Sequence, residues 1–105
     1  MIKAELFFKE GKIVGFHLKG HSGMDRHGKD VLCAFVSSAA YMTANTITDV
    51  MGVMAQASDG DGDMYVRVSE SDADRCSDIF SGFRLHLMNT AEQYPKYLKV
   101  IITEV

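Results

Sequence analysis

The chain has 105 residues, 47% hydrophobic and 24% charged, with one proline, nine glycines and a formal net charge of −3, which predicts one domain over residues 1–105 that buries a core without disulfide or metal staples. A pI near 5.7 with Lys and Arg scattered along the chain argues against nucleic-acid binding, and two cysteines without a basic, apolar leader in MIKAELFFKE point to an intracellular, reduced protein. Lys9, Lys12, Lys19 and the later charges are read as interrupting every apolar stretch before the ~18 residues of a membrane span, so no membrane partner is expected.

Alternation of Ile2, Ala4, Leu6 and Phe8 against Lys3, Glu5 and Lys9 predicts a first strand, and Glu10-Gly11 a tight turn. The returning arm, residues 12–19, is expected to place Val14, Phe16 and Leu18 on one face and Gly15 and His17 on the other. Residues 20–29, GHSGMDRHGK, hold three glycines and two histidines without core periodicity and read as a mobile loop. Asp30 then caps a helix reaching about Asp49, with Val31, Ala34, Phe35, Ser38, Met42 and Thr46 as its expected core stripe. Its many small residues, among them Ser37, Ala39, Ala40 and Ala44, suit close approach to a sheet, a helix or a partner subunit.

Residues 53–57 and 64–68 flank the acidic turn SDGDGD and predict a second hairpin. A second helix is expected over residues 71–94, with Ala73, Cys76, Phe80, Phe83, Leu87 and Ala91 inward and a stop before Pro95. A last strand over residues 96–104 completes the order ββαββαβ. The predicted fold is an α/β single-domain sandwich: a mixed sheet of about five strands, in two hairpins plus a C-terminal strand, with two helices.

His21, Asp30 and Cys33 form the most reactive local arrangement. With Asp30 as N-cap, Cys33 is the third helical residue, close to unpaired backbone N–H groups and the positive end of the helix dipole, surroundings that favour a thiolate. His21 follows the end of a strand, and the intervening loop is long enough to fold back and bring imidazole and thiol together. The plainer readings are a core cysteine and a solvated loop histidine. Cys76 illustrates that alternative, lying on the apolar stripe of the second helix with no histidine near it in sequence.

Asp59, Asp61, Asp63 and Glu70 match positions of a calcium loop, but Met64 stands where the sharp turn needs glycine. The four histidines, His17, His21, His27 and His86, and the two cysteines show no zinc spacing. Neither a metal nor a cofactor is expected. Phe7-Phe8 and the seven methionines suit a core better than an apolar groove.

The string GHSGMDRHGKDVLCAFVS, residues 20–37, resembles the signature of the ribosomal-processing cysteine protease family Prp, and the strand and helix order fits over nearly the whole chain. The resemblance implies a cytoplasmic homodimer that removes a short N-terminal extension from the precursor of ribosomal large-subunit protein L-twenty-seven, cutting after an apolar, Phe-rich segment. It places the catalytic histidine on His21 and the nucleophile on Cys33, with Gly20, Asp30 and Ser37 as the motif's other matching residues. Ser22 and Met24 stand where the family often has alanine and an aromatic, and Phe35 is larger than the usual residue after Cys-Ala.

The mechanism this implies is attack of Cys33 on a peptide carbonyl to give a thioester, with His21 protonating the leaving amine, water completing hydrolysis and backbone N–H groups near Cys33 holding the oxyanion. Asp30 has two candidate roles, helix cap and orienter of His21, and capping is favoured. Ser37, one turn beyond Cys33, is supporting, and the 20–29 loop is a candidate lid with Gly23 and Gly28 as hinges. Two other classes stay open: a ribosome-associated binding module that does not cut, and a thiol redox enzyme built on Cys33, which lacks a resolving cysteine nearby in sequence.

Overall fold

Apolar alternation drives two antiparallel arms together at the N-terminus: β1 (Ile2–Lys9) and β2 (Lys12–Lys19) form a hairpin in this computed structural model, which describes residues 1–24 and 30–105. Glu10 and Gly11 turn it with φ of 50° and 79°, the left-handed pair that matches the twist of two-residue hairpins. Helix α1 (Val31–Asn45) follows and ends in one wider π turn, Thr46–Val50. The second hairpin is β3 (Ala55–Gly60) and β4 (Asp63–Val68), then α2 (Ser77–Gln93) and β5 (Leu98–Glu104).

The five strands make one mixed sheet in the order β3-β4-β2-β1-β5, with β5 parallel to β1 and the other neighbours antiparallel. Leu6, Phe16 and Val66 of the sheet share a core with Leu32, Val36 and Ile47 beside α1 and Phe80, Phe83 and Leu87 of α2. Both helices therefore cover the same face, and the predicted α/β sandwich with order ββαββαβ is the observed one. Phe16 and Phe83 meet at 4.7 Å between ring centroids, an aromatic contact at the centre of that layer.

Four readings of the sequence change. The register of β1 on β2 shifts between Phe7 and Phe8, so that Phe7 faces Gly15 and Phe8 faces Ile13. Val14 is thereby left over in a bulge and turns to the opposite face, packing with Phe7 and Ala73, while Ile13, Phe16 and Leu18 face the helices. The predicted α1 stripe is also displaced. Leu32, Val36, Ala40 and Thr43 are buried, whereas Val31, Phe35 and Met42 are 80%, 51% and 62% exposed.

The start of the second helix is broken, because a short 3-10 turn at Glu70–Asp72 precedes α2; even so, Ala73, Cys76, Phe80, Phe83 and Leu87 are buried as expected. Finally, no Asp, Glu, Lys or Arg falls between Asp30 and Asp49, so the stretch Val31–Val50 is long and apolar enough to pass for a membrane span by length and composition. Its inner residues instead pack on the sheet in the core shared with α2.

Candidate active site

The C-terminal end of β2, the N-terminus of α1 and the turn between β3 and β4 converge on one cleft of about 320 Å³, lined by His21, Asp30, Cys33, Ser37, Tyr41 and Gly62 among others. Gly20 follows β2 with φ of 92°, and a Cβ there would stand 2.6 Å from the Met1 carbonyl oxygen. Backbone sterics and a close approach together demand glycine at this position. Its N–H donates to the Gly62 carbonyl at 2.8 Å, which fixes the start of the loop on the tip of the second hairpin.

Asp30 is the N-cap of α1, with Oδ1 accepting from the Cys33 N–H at 3.0 Å. Its Oδ2 accepts from the Ser22 N–H at 3.0 Å and from the Ser22 hydroxyl. The Ser22 oxygen in turn accepts from the Met24 N–H at 3.1 Å. One carboxylate therefore caps the cysteine helix and joins it to the histidine segment. Burial by itself would raise this carboxyl, but hydrogen bonds from the Ser22 hydroxyl and from the backbone of Cys33, Gly23 and Ser22 outweigh it and hold it below the ordinary carboxylate range.

That framework sets the imidazole of His21 with Nδ1 3.6 Å from Cys33 Sγ. Both side chains remain open to a substrate: Cys33 is part-buried and the His21 side chain is 37% exposed. A sulfur-to-nitrogen separation of this size permits direct proton transfer after slight closure. Ser37 lines the same cleft one turn along α1. The N–H groups of Cys33 and Ala34 both donate to Asp30, to its Oδ1 and to its carbonyl oxygen respectively. Gly28 lies outside the described residues, as does the whole second half of the candidate lid, residues 25–29; Gly23, at φ of 79°, belongs to the described part.

The acidic run of the second hairpin is distributed among separate partners. Asp59 accepts from the Tyr41 hydroxyl at 2.7 Å, which holds the phenol proton and raises Tyr41 above its ordinary range. Asp63 pairs with His17 at 2.8 Å, and Asp61 Oδ1 lies 3.6 Å from His21 Nε2. Sequence reading grouped these carboxylates as a poor calcium loop and missed the contacts of Asp61, Ser22 and Tyr41. Their partners are set by strand register, and only the Asp-Gly turn signal marked where the hairpin tip falls. Cys76 is wholly buried, and burial pushes its thiol up, which makes it a packing residue and unsuited to resolving a disulfide with Cys33.

The sequence profile of the family described as cysteine protease Prp matches residues 1–99. The chain belongs to the cysteine protease Prp family. Among solved structures it is similar to the essential ribosomal processing protease Prp from S. aureus in complex with a covalently linked product peptide. The TM-score is 0.89 and the identity 20%, over 98% of this chain and 100% of that one. The same S. aureus protease with a substrate peptide gives a TM-score of 0.84 at 19% identity, over 98% of this chain and 100% of that one. A Streptococcus mutans protein gives 0.78 at 24% identity, covering 100% of this chain and 96% of that one. Among curated proteins, none matches the chain in sequence. Membership of the Prp family makes the protein a cysteine protease, and the structural likenesses establish the shared fold over the full chain.

Proposed function

We propose that this Prp-family chain is an endopeptidase that removes the N-terminal extension from the precursor of ribosomal large-subunit protein L-twenty-seven, cutting after an apolar, Phe-rich segment. The observation that carries the reading is the pairing of Cys33 Sγ with His21 Nδ1 at 3.6 Å in an open cleft of a cysteine protease. The thiol proton passes to Nδ1, and the thiolate attacks the scissile carbonyl. The imidazolium then protonates the departing amine, and water hydrolyses the thioester. The peptide-bound structures of the S. aureus ribosomal processing protease support a peptide of ribosomal origin as substrate here. The protein acts in the cytoplasm in this reading.

A second copy of the chain is the proposed occupant of the exposed apolar ridge Val31, Phe35 and Met42 on α1. These residues recur at helical spacing on the face turned away from the core, which suits a homodimer.

The test is incubation of the protein, alongside Cys33→Ala and His21→Ala, with a synthetic precursor peptide carrying the apolar extension, with product masses read over time. Cleavage at one bond by the wild type, absent in both folded variants, is expected. Persistent cleavage by Cys33→Ala overturns the nucleophile assignment, and binding without cleavage by the wild type overturns this substrate.

A further inference from the structure

His21 sits two residues past the end of β2, so the strand fixes its backbone but not its ring. The proposed reaction needs a defined ring state: Nδ1 must be the acceptor for the Cys33 proton, and Nε2 must carry the hydrogen. Among the described residues, the tip of the second hairpin lies against Nε2. Asp61 Oδ1 lies 3.6 Å from it, on the side of the imidazole opposite the thiol.

Gly62, the next residue, brings the turn against the ring so closely that a Cβ there would stand 2.9 Å from Nε2, 3.3 Å from Cε1 and 3.4 Å from Cδ2. The turn itself is held at two points. The Gly62 carbonyl accepts from the Gly20 N–H at 2.8 Å, and Asp59 accepts from Tyr41 of α1. The hairpin thus spans the histidine segment and the helix that carries the nucleophile.

We propose that Asp61 is a positioning residue, whose carboxylate holds His21 with Nε2–H toward the hairpin and Nδ1 toward Cys33. This rests on the Cys33–His21 protease reading. When the Cys33 proton moves to Nδ1, the ring becomes an imidazolium with Nε2–H facing the Asp61 carboxylate. The Nδ1 proton later leaves with the amine, and Asp61 neither gains nor loses one. A separation of 3.6 Å is compatible with a pair that tightens as the ring becomes charged. The Asp61 side chain is 76% exposed, so its effect is well short of the ~10⁴-fold associated with a buried triad aspartate.

The experiment compares Asp61→Asn, Asp61→Ala and Asp61→Glu in the full chain, with kcat and KM from precursor-peptide cleavage and the rate of iodoacetamide alkylation at Cys33 read by mass. Asp61→Asn and Asp61→Ala are expected to lower kcat by about tenfold with KM changed less than about twofold, and to slow alkylation. Asp61→Glu, which keeps the charge on an exposed turn, is expected to recover most of both rates, with thermal midpoints alike in all variants.

Wild-type kcat and alkylation in Asp61→Asn overturn the proposal, and so does an Asp61→Glu variant as slow as Asp61→Ala. Alkylation keeps the test decisive for a peptide that is not cut. Cleavage persisting in Cys33→Ala marks instead the failure of the underlying protease assignment, whatever the Asp61 variants do.

Discussion

Asp30 shows how one side chain connects the local chemistry of a helix end to the assembly of a site. An Asp ahead of an apolar helix is legible as an N-cap, and the cap forms at Cys33. Its second oxygen takes two hydrogen bonds from Ser22, a buried residue with 2% exposure, and that half was not legible because it depends on how the loop returns. Replacing Ser22 by Ala leaves the carboxylate short of a buried donor. A loss of about 1–3 kcal/mol is expected in urea unfolding, with weaker cleavage as the histidine segment loosens.

Because the folded-state carboxyl of Asp30 titrates below its unfolded value, the stability it contributes is fully present above the unfolded pKa of about 3.9 and is lost as pH falls through the folded one. Asp30→Asn keeps a competent cap without the charge. Its deficit against wild type is expected at pH 7 and shrinks toward pH 3 in urea midpoints; a deficit independent of pH refutes the charge argument.

Among the elements, β2 carries the sharpest packing constraint. Gly15 reads in sequence as part of the face it shares with His17, yet in the sheet a Cβ there would meet the Val66 carbonyl oxygen at 2.2 Å and Arg67 Cα at 3.0 Å. The obstruction is backbone of the adjoining strand and cannot swing aside, so Gly15→Ala must push β4 away. Since β4 carries the hairpin that faces His21, a loss of roughly 2–4 kcal/mol is expected by thermal unfolding together with reduced cleavage. A neutral midpoint contradicts the close approach. The same strand explains the misread face of Val14: period-two alternation assumes an unbroken register, and one bulged residue reverses it.

At the scale of the whole molecule, the two arcs of α1 matter most. Val31, Phe35 and Met42 repeat with helical period as well as Leu32, Val36 and Ala40 do, and a helix this rich in apolar and small residues offers no polar face to decide between them. The sheet takes the second arc, leaving the first in solvent. With a partner copy on that ridge, Met42→Lys is expected to convert a dimer to a monomer in analytical ultracentrifugation without lowering the content of secondary structure. A wild type that sediments as a monomer at all concentrations removes the dimer from the reading.

Element order, the Asp30 cap, the inward stripe of α2 and the glycine-bounded His21-to-Cys33 segment were determined by the sequence alone. They depend on backbone propensity, local hydrogen bonding and side-chain periodicity, all of which act within a few residues. Only the tertiary structure decided which arc of α1 is buried, where Val14 points, that Ser22 closes on Asp30, and that Asp61 faces the imidazole from the turn of the hairpin whose β4 adjoins β2. Those outcomes depend on strand register and on the order in which distant strands come side by side. No local pattern carries that information, because it arises only when the sheet forms and its neighbours compete for the same faces.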